Sequence, residues 1–295
     1  GNLSVTNAGF QPDFVFMLSG ATTTHNATST DLRYSIGAAA SSTAEWTTAG
    51  RVETALDTTD SCSWQRTDAT LAMIVPTGTS SCLNQDALAD FTAFTGTGFD
   101  INKSDAPAAA FDVFYLALKS GQTFDVSSFS KPTAAGSQTI TTQGAFKPGG
   151  VFFSGSGNVA SSTPADDADL VLGAASGATE RMAIGRSSVG GGDDASEPRT
   201  YASSTVAYIS IETDAATVTG AADLTAFTST GFTLNWITAD ATADEILYWA
   251  MKAQPDDDSP TVATHTDSPD PVAQTSAVTF TVNWEDTDSG PSWSQ

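Results

Sequence analysis

Residues able to carry out catalysis are few in this chain of 295 residues. Its two histidines, His25 and His265, stand in threonine-rich stretches and belong to none of the spacings typical of metalloproteases or serine hydrolases. Carboxylate pairs are abundant, but with 34 Asp and Glu residues in the chain their proximity does not indicate a glycosidase acid/base pair. The sequence therefore predicts a protein that is not an enzyme and that needs no catalytic cofactor.

Clustered aspartates offer a different chemistry, the binding of calcium, which takes several oxygen ligands from loops. The candidate ligands are Asp166, Asp167, Asp169, Asp193 and Asp194. Their spacing is not that of an EF-hand loop. Two interpretations stay open, a structural calcium ion or acids that are simply solvated at the surface.

The two cysteines, Cys62 and Cys82, stand on either side of a predicted strand at Leu71–Val75. Their spacing fits no zinc site, which would need four ligands. In an oxidising compartment they can form a disulfide worth about 3 kcal/mol through loop closure. We therefore expect a bridge between them if the protein is extracellular.

Aromatic rings can stack on sugars when they are exposed. Trp46 and Trp64 stand among small polar residues, which predicts exposure and makes them candidate carbohydrate-binding residues. Trp236, Tyr248 and Trp249 instead lie in apolar runs and are expected in the core.

The charge balance restricts the partners. Eleven Lys and Arg against 34 Asp and Glu give a formal net charge of -23, which disfavours nucleic acid and anionic membrane surfaces. No segment approaches the roughly 20 consecutive apolar residues of a membrane span. At molar salt the Debye length falls to about 3 Å and the self-repulsion is screened. The composition is similar to that of proteins from salt-in haloarchaea and their viruses, the alternative being an ordinary acidic secreted protein.

Several sequence blocks occur twice along the chain. Gly9-Phe10-Gln11-Pro12 recurs as Ala145-Phe146-Lys147-Pro148, 136 positions later. Four further blocks recur in the same order at offsets of 136, 135, 133 and 133: Ile36–Ala39 with Leu172–Ala175, Thr70–Ile74 with Thr205–Ile209, Thr92–Phe99 with Thr225–Phe232, and Tyr115–Lys119 with Tyr248–Lys252. An ordered series of matches with slowly changing offsets indicates an internal duplication.

Each recurring block has the composition and alternation of a β-strand, and glycine- or proline-rich turns separate the blocks. The fold class expected is all-β, with two tandem, jelly-roll-like β-sandwich domains. We expect the first domain at 1–130, a linker at 131–136, the second domain at 137–253, and an Asp/Pro/Thr-rich extension at 254–295. The only stretch with a trace of helical period is 86–94.

The extension closes with a strand-like segment, Val278–Trp284, that repeats the pattern of Phe232–Trp236. A lone strand leaves its backbone groups unpaired, so this segment is expected to join an existing sheet edge. The edge can belong to the second domain of its own chain or to a neighbouring copy, and exchange with a neighbour is favoured.

The blocks Gly9–Pro12, Gly231–Trp236 and Tyr115–Lys119 with Tyr248–Lys252 resemble a duplicated β-sandwich of structural proteins from tailed phages and haloarchaeal tailed viruses. The first copy departs from the pattern, with Lys103 where the second has Trp236. The resemblance implies a virion surface or tail component, such as a turret, fibre or capsid decoration, that assembles as a homo-oligomer with other virion proteins and attaches to a host surface glycan. It implies no catalytic residue. The alternative is a secreted or cell-surface carbohydrate-binding module of a halophile.

Overall fold

In the computed structural model the chain is described over residues 1–20, 32–52, 61–67, 70–74, 85–107, 110–157, 164–165, 167–188, 199–212 and 217–254. Every regular element in these ranges is a β-strand, which confirms the all-β class. None of the described residues forms a helix with the length and apolar character needed to span a membrane.

The first half of the molecule contains nine strands. They are β1 (Asn2–Val5), β2 (Phe14–Ser19), β3 (Leu32–Ser41), β4 (Ala44–Val52), β5 (Ser61–Arg66), β6 (Ala72–Ile74), β7 (Ala87–Thr95), β8 (Gly98–Asp105) and β9 (Phe114–Leu118). They build a four-stranded sheet of order β1-β8-β7-β6 and a five-stranded sheet of order β5-β4-β3-β2-β9, here called sheets A and B.

Ten strands follow, of which the last nine form the second half. They are β10 (Phe124–Ser130), β11 (Gly136–Thr141), β12 (Pro148–Gly155), β13 (Leu170–Ala175), β14 (Arg181–Ser187), β15 (Arg199–Ser203), β16 (Tyr208–Glu212), β17 (Thr217–Thr228), β18 (Gly231–Ala239) and β19 (Glu245–Lys252). Sheet C has the order β10-β19-β12-β13-β14-β15, and sheet D has the order β11-β18-β17-β16.

The two halves share one strand order. Adding ten to each strand number of sheets A and B gives sheets D and C, with β10 as an additional edge strand. Even the irregularities correspond, since the β7–β8 ladder shifts register between Phe91 and Ala93 and the β17–β18 ladder shifts between Leu224 and Ala226. This correspondence supports the interpretation of an internal duplication, which itself stays a prediction.

The block Thr70–Ile74 and its repeat differ by one residue between the sequence match and the structure. The sequence offset of 135 pairs Leu71 with Val206. In the structure, however, the residue that bonds as Leu71 does is Ala207, because Leu71 N donates to Ala89 O at 2.7 Å and Ala207 N donates to Ala222 O at 2.9 Å. Ala89 and Ala222 hold the same position in their ladders. The structural counterpart of Leu71 is therefore Ala207, and the offset is 136. Such a slip matters in a strand because it exchanges the two faces.

The trace of helical period at 86–94 does not form a helix, because Ala87–Thr95 is strand β7. The reason is the bulge after Phe91, which adds a residue and shifts the alternation. Phe91 and Phe94 thereby contact the same core although they are three positions apart. Apolar residues three positions apart on a bulged strand therefore show the same sequence spacing as apolar residues on one face of a helix.

Three apolar cores hold the sheets together as four layers. Val15, Leu71 and Phe99 belong to a core between sheets A and B, and a larger core containing Phe153, Leu234 and other residues lies between sheets C and D. The third core joins sheet B to sheet C, and its buried members are Phe14, Ile36, Ala38, Trp46, Phe124, Val126 and Leu247. Sheets B and C are thus apolar on both faces, as strands buried on both sides require.

Residues 1–253 form one compact unit. Strand β10, which lies in the range expected for the first domain, pairs with β19 in sheet C. Both halves are mainly meanders of consecutive antiparallel strands.

Candidate functional site

The prediction that Trp46 and Trp64 are exposed is wrong. Trp46 is fully buried in the interface between sheets B and C, where its Nε1 donates to Tyr248 O at 2.8 Å. Trp64 is buried against Ala49, Cys62 and Met73. Neither ring is available to stack on a sugar.

The small polar neighbours that suggested exposure are buried as well. Thr47 and Thr48 are fully buried in β4, because sheet B is covered on both faces. Thr47 Oγ1 donates to Ile36 O at 3.0 Å, and Thr48 Oγ1 donates to Trp64 O at 3.3 Å. A hydroxyl that bonds a nearby carbonyl can be buried at little cost, so these threonines say nothing about the surface.

Cys62 lies fully buried in β5 and is disulfide-bonded. The other cysteine of the chain, Cys82, lies outside the described residues. Cys62 belongs to a small core with Trp64 and Met73, so it has a structural position and is remote from solvent.

The aspartates proposed as calcium ligands have structural surroundings where they are described. Asp167 O accepts a hydrogen bond from Ser63 Oγ at 2.7 Å, and Asp169 O accepts one from Tyr34 OH at 2.8 Å. Asp166, Asp193 and Asp194 lie outside the described residues. Among the residues that are described, no three acidic, histidine or cysteine side chains are close enough to hold a metal ion.

Asp169 also borders a small acidic cavity of about 90 Å³ together with Asp240, Asp244 and Arg186. Asp240 and Asp244 already have a cation, because Lys131, taken from the sequence as part of a linker, is fully buried beside them. Its Nζ forms ion pairs with Asp240 and, at 3.3 Å, with Asp244. The arrangement is a buried ion-pair cluster, which stabilises only as a complete set.

A second set of contacts missed by sequence reasoning joins the halves at the edge of sheet B. Ser63 and Ala165 exchange backbone hydrogen bonds of 3.1 and 2.9 Å, so the 164–165 segment covers β5. Gln65 Nε2 donates to Glu245 O at 2.9 Å, and Gln65 Oε1 accepts from Ser156 N at 3.1 Å. Only a fold that brings positions 91 to 180 apart together reveals these pairs.

A buried acid lies where β10 joins sheet C. Asp125 Oδ2 accepts hydrogen bonds from Tyr248 OH at 2.6 Å and from Gln143 N at 2.9 Å. Its Oδ1 is buried and has no hydrogen-bond partner within the described part of the chain. Burial raises the pKa of Asp125, opposed by these two hydrogen bonds. Burial, reinforced by the Asp125 carboxylate, also raises the pKa of Tyr248 above its ordinary value.

The most unusual surface of the molecule is the free edge of sheet B. At β9 the side chains of Leu18, Val113, Phe114 and Leu116 are all exposed, Phe114 to 65 %. In the described ranges no strand pairs with the outer side of β9. An apolar, unpaired edge is normally covered in a soluble protein, because it would otherwise pair with other chains.

Comparisons of the chain with protein-family models, with curated proteins and with solved structures found no match.

Proposed function

We propose that the chain is a structural protein of the virion surface of a halophilic tailed virus, a turret, fibre or capsid decoration that assembles with copies of itself and with other virion proteins. It has no enzymatic role in this proposal. Attachment to a host surface glycan would be a property of the assembled particle.

The observation that carries the proposal is the filled interface between the two halves. Proteins that bind small ligands between domains keep a cleft there. Here aromatic rings fill the interface, with Phe16 against Phe152 at 5.4 Å and Phe152 stacked on Trp249 at 5.7 Å between ring centroids. Packing of this kind joins two sandwiches into one rigid four-layer body, which suits a load-bearing spacer.

The charge distribution supports a saline external setting. Of the charged residues that the structure describes, Arg51 and Lys131 are buried, and so are Glu45, Asp125 and Asp244. The surface therefore keeps nearly all of the formal net charge of -23. Its self-repulsion is strong in dilute buffer and screened at molar salt, so we expect the melting temperature to rise with KCl concentration.

The alternative of a carbohydrate-binding module keeps the sandwich fold but loses its candidate stacking residues, because Trp46 and Trp64 are buried. It makes a distinct prediction nonetheless. Titration with glycans in molar KCl would change tryptophan fluorescence if a ring stacked on sugar. We expect no change in fluorescence and no retention on a glycan array.

The test of the virion proposal is proteomic and mass analysis of purified particles. The protein should be present at a stoichiometry that matches a symmetric assembly, and native mass spectrometry at the highest workable salt should give a defined oligomer of the purified chain. A chain that is absent from particles and remains a monomer would contradict the proposal.

A further inference from the structure

Strands β9 and β19 hold equivalent places in the two halves, but among the described strands β19 has a neighbour on both sides and β9 on one side. At the offset of 133 that relates these two strands, Phe114 corresponds to Leu247. Their partners in β2 and β12, Leu18 and Ser154, correspond as well. Leu247 is fully buried, whereas Phe114 is 65 % exposed. The same position is therefore a core residue in one half and a surface residue in the other.

Strand β10 shows what kind of partner this place in the sheet accepts. It pairs antiparallel with β19 along its whole length. Phe124 and Val126, on either side of Asp125, contribute to the buried core between sheets B and C. The edge of β19 is thus completed by an antiparallel strand that brings alternate apolar side chains to the sheet.

Strand β9 carries the same alternation beside its own open edge. Phe114 and Leu116 share one face, since residues two apart in a strand point the same way, and they are 65 % and 53 % exposed. Leu18, opposite Phe114 in the β2–β9 ladder, is exposed as well. Tyr115 points to the other face, where its ring packs on Phe99. Strand β9 therefore has both the backbone edge and the apolar side chains of a strand that pairs.

The charges along β9 favour a second copy of this chain as the partner. The chain has 34 acidic residues, yet none lies between Asp112 and Lys119. Two copies of the same negative charge can therefore approach each other along this stretch. In an antiparallel pair of two β9 strands, the acidic end of each strand lies beside the basic end of the other, which favours this orientation.

We propose that β9 pairs antiparallel with β9 of a second copy about a twofold axis, so that the two B sheets join into one continuous sheet. Such a pair sets one residue opposite its own copy. With Tyr115 in that position, Phe114 of each copy lies opposite Leu116 of the other, which brings together the two most exposed side chains of the strand. The inference rests on the self-assembly that the proposed function includes, and it names the surface through which copies meet.

Photo-crosslinking of the full chain in molar KCl tests the contact. Leu116 is replaced by p-benzoylphenylalanine, an equal mixture of ¹⁴N and ¹⁵N chains is equilibrated and irradiated, and crosslinked peptides are identified by mass spectrometry. We expect crosslinks that join ¹⁴N to ¹⁵N peptides, with residues 113–118 captured. The same probe at Ile237, which is 57 % exposed on a strand paired on both sides, should not capture β9 of another copy.

Two substitutions test the same contact without a probe, by sedimentation in molar KCl. Leu116→Asp should raise the dissociation constant of the dimer at least about a hundredfold, because a twofold contact buries the added charge twice. Ile237→Asp is the matched control and should leave the dimer unchanged. Thermal melts verify that both variants are folded. A folded Leu116→Asp variant that dimerises as the wild type does would overturn the proposal.

The other outcomes separate this inference from the virion role. Capture from position 116 with both peptides of one isotope would show that the chain covers its own edge, and no capture would leave the edge open; either result overturns the β9 pair. An oligomer without capture between copies at position 116 would overturn the β9 pair and leave the proposed function standing. A dimer through β9 in a protein that is absent from purified particles would support the pair and contradict the virion role.

Discussion

The two halves of this protein are alike in their cores and unlike where they face each other. In the cores, Gly37 and Gly173 occupy the same place and lie against backbone carbonyls, with an added Cβ meeting Leu71 O at 1.6 Å and Ala207 O at 2.0 Å. At the interface the correspondence breaks down. Trp46 is fully buried, but its counterpart Met182, opposite Ala174 as Trp46 is opposite Ala38, is 55 % exposed.

The difference shows what determines burial at each kind of position. Inside a sandwich, the two sheets of one half cover each other, so equivalent residues meet equivalent neighbours. Across the interface, Trp46 is covered by β19 and by core residues of β10, such as Val126. Met182 has no such cover, so a residue's own strand pattern cannot decide its exposure there.

The largest effect is expected for Trp46→Ala, which removes a fully buried indole and its hydrogen bond to Tyr248 O. The free energy of unfolding should fall by about 4 kcal/mol. The matched substitution Met182→Ala should cost at most about 1 kcal/mol, because Met182 is largely exposed. Urea titrations in molar KCl measure both changes, and similar losses at the two positions would contradict the asymmetric interface.

The next largest loss of stability is expected for alanine substitutions at Gly37 and Gly173, and it should be nearly equal in the two halves. Gly37→Ala and Gly173→Ala each force a methyl group into a backbone carbonyl of the facing sheet, at an expected cost of about 3 kcal/mol. Gly177→Ala is the control, since nothing lies within 4 Å of its added Cβ and its φ is not positive. Thermal melts of the three variants compare the cores directly. A change confined to one half would show that the two cores are packed differently.

A smaller effect of opposite sign is expected where the halves carry different residues in one conformation. Gly9 has φ 76° and its counterpart Ala145 has φ 47°, the left-handed region that favours glycine. Ala145→Gly should stabilise by about 0.5–1 kcal/mol, and Gly9→Ala should destabilise by about 1 kcal/mol. Nothing lies within 4 Å of a Cβ at Gly9, so the effect is conformational. If Ala145→Gly and Gly9→Ala shifted the melting temperature in the same direction, the two positions would not share one left-handed turn conformation.

The smallest effect concerns Asp125, which belongs to β10 and has no counterpart among the described strands of sheets A and B. Its pKa is raised from 3.8 by burial. The stability it contributes is therefore greatest below the unfolded-state pKa and is lost as pH rises through the folded-state pKa. Asp125→Asn, which keeps an acceptor for Tyr248 OH, should gain on the wild type by up to about 1 kcal/mol as pH increases.

The pH dependence is measured as the difference between the two unfolding free energies at a series of pH values from acidic to neutral. Asp13→Asn is a suitable control, because Asp13 is an exposed acceptor of the Gly121 amide. A difference that stays flat with pH, or that falls as pH rises, would contradict the burial of an ionisable Asp125.

The strands and their order of recurrence could be read from the sequence because each apolar run packs at least one face on a sheet of its own half. The blocks around Phe10 and Phe146 correspond in the structure as they do in the sequence. Trp46 was misjudged because its cover is supplied by residues some 200 positions away, with Tyr248 O as the acceptor of its N–H. The burial of Lys131 escaped prediction for the same reason, since its partners Asp240 and Asp244 are distant in sequence.

Two sandwiches of one strand order form a single body through the packed interface between sheets B and C. Native-state hydrogen exchange in molar KCl can show whether the two halves unfold together, with amides of β7–β8 and β17–β18 as reporters of the two halves. We predict that the most protected amides of both pairs exchange with the same free energy of opening, and that Trp46→Ala lowers both values together. Two distinct values, with only the first half affected by Trp46→Ala, would show instead that the halves unfold independently.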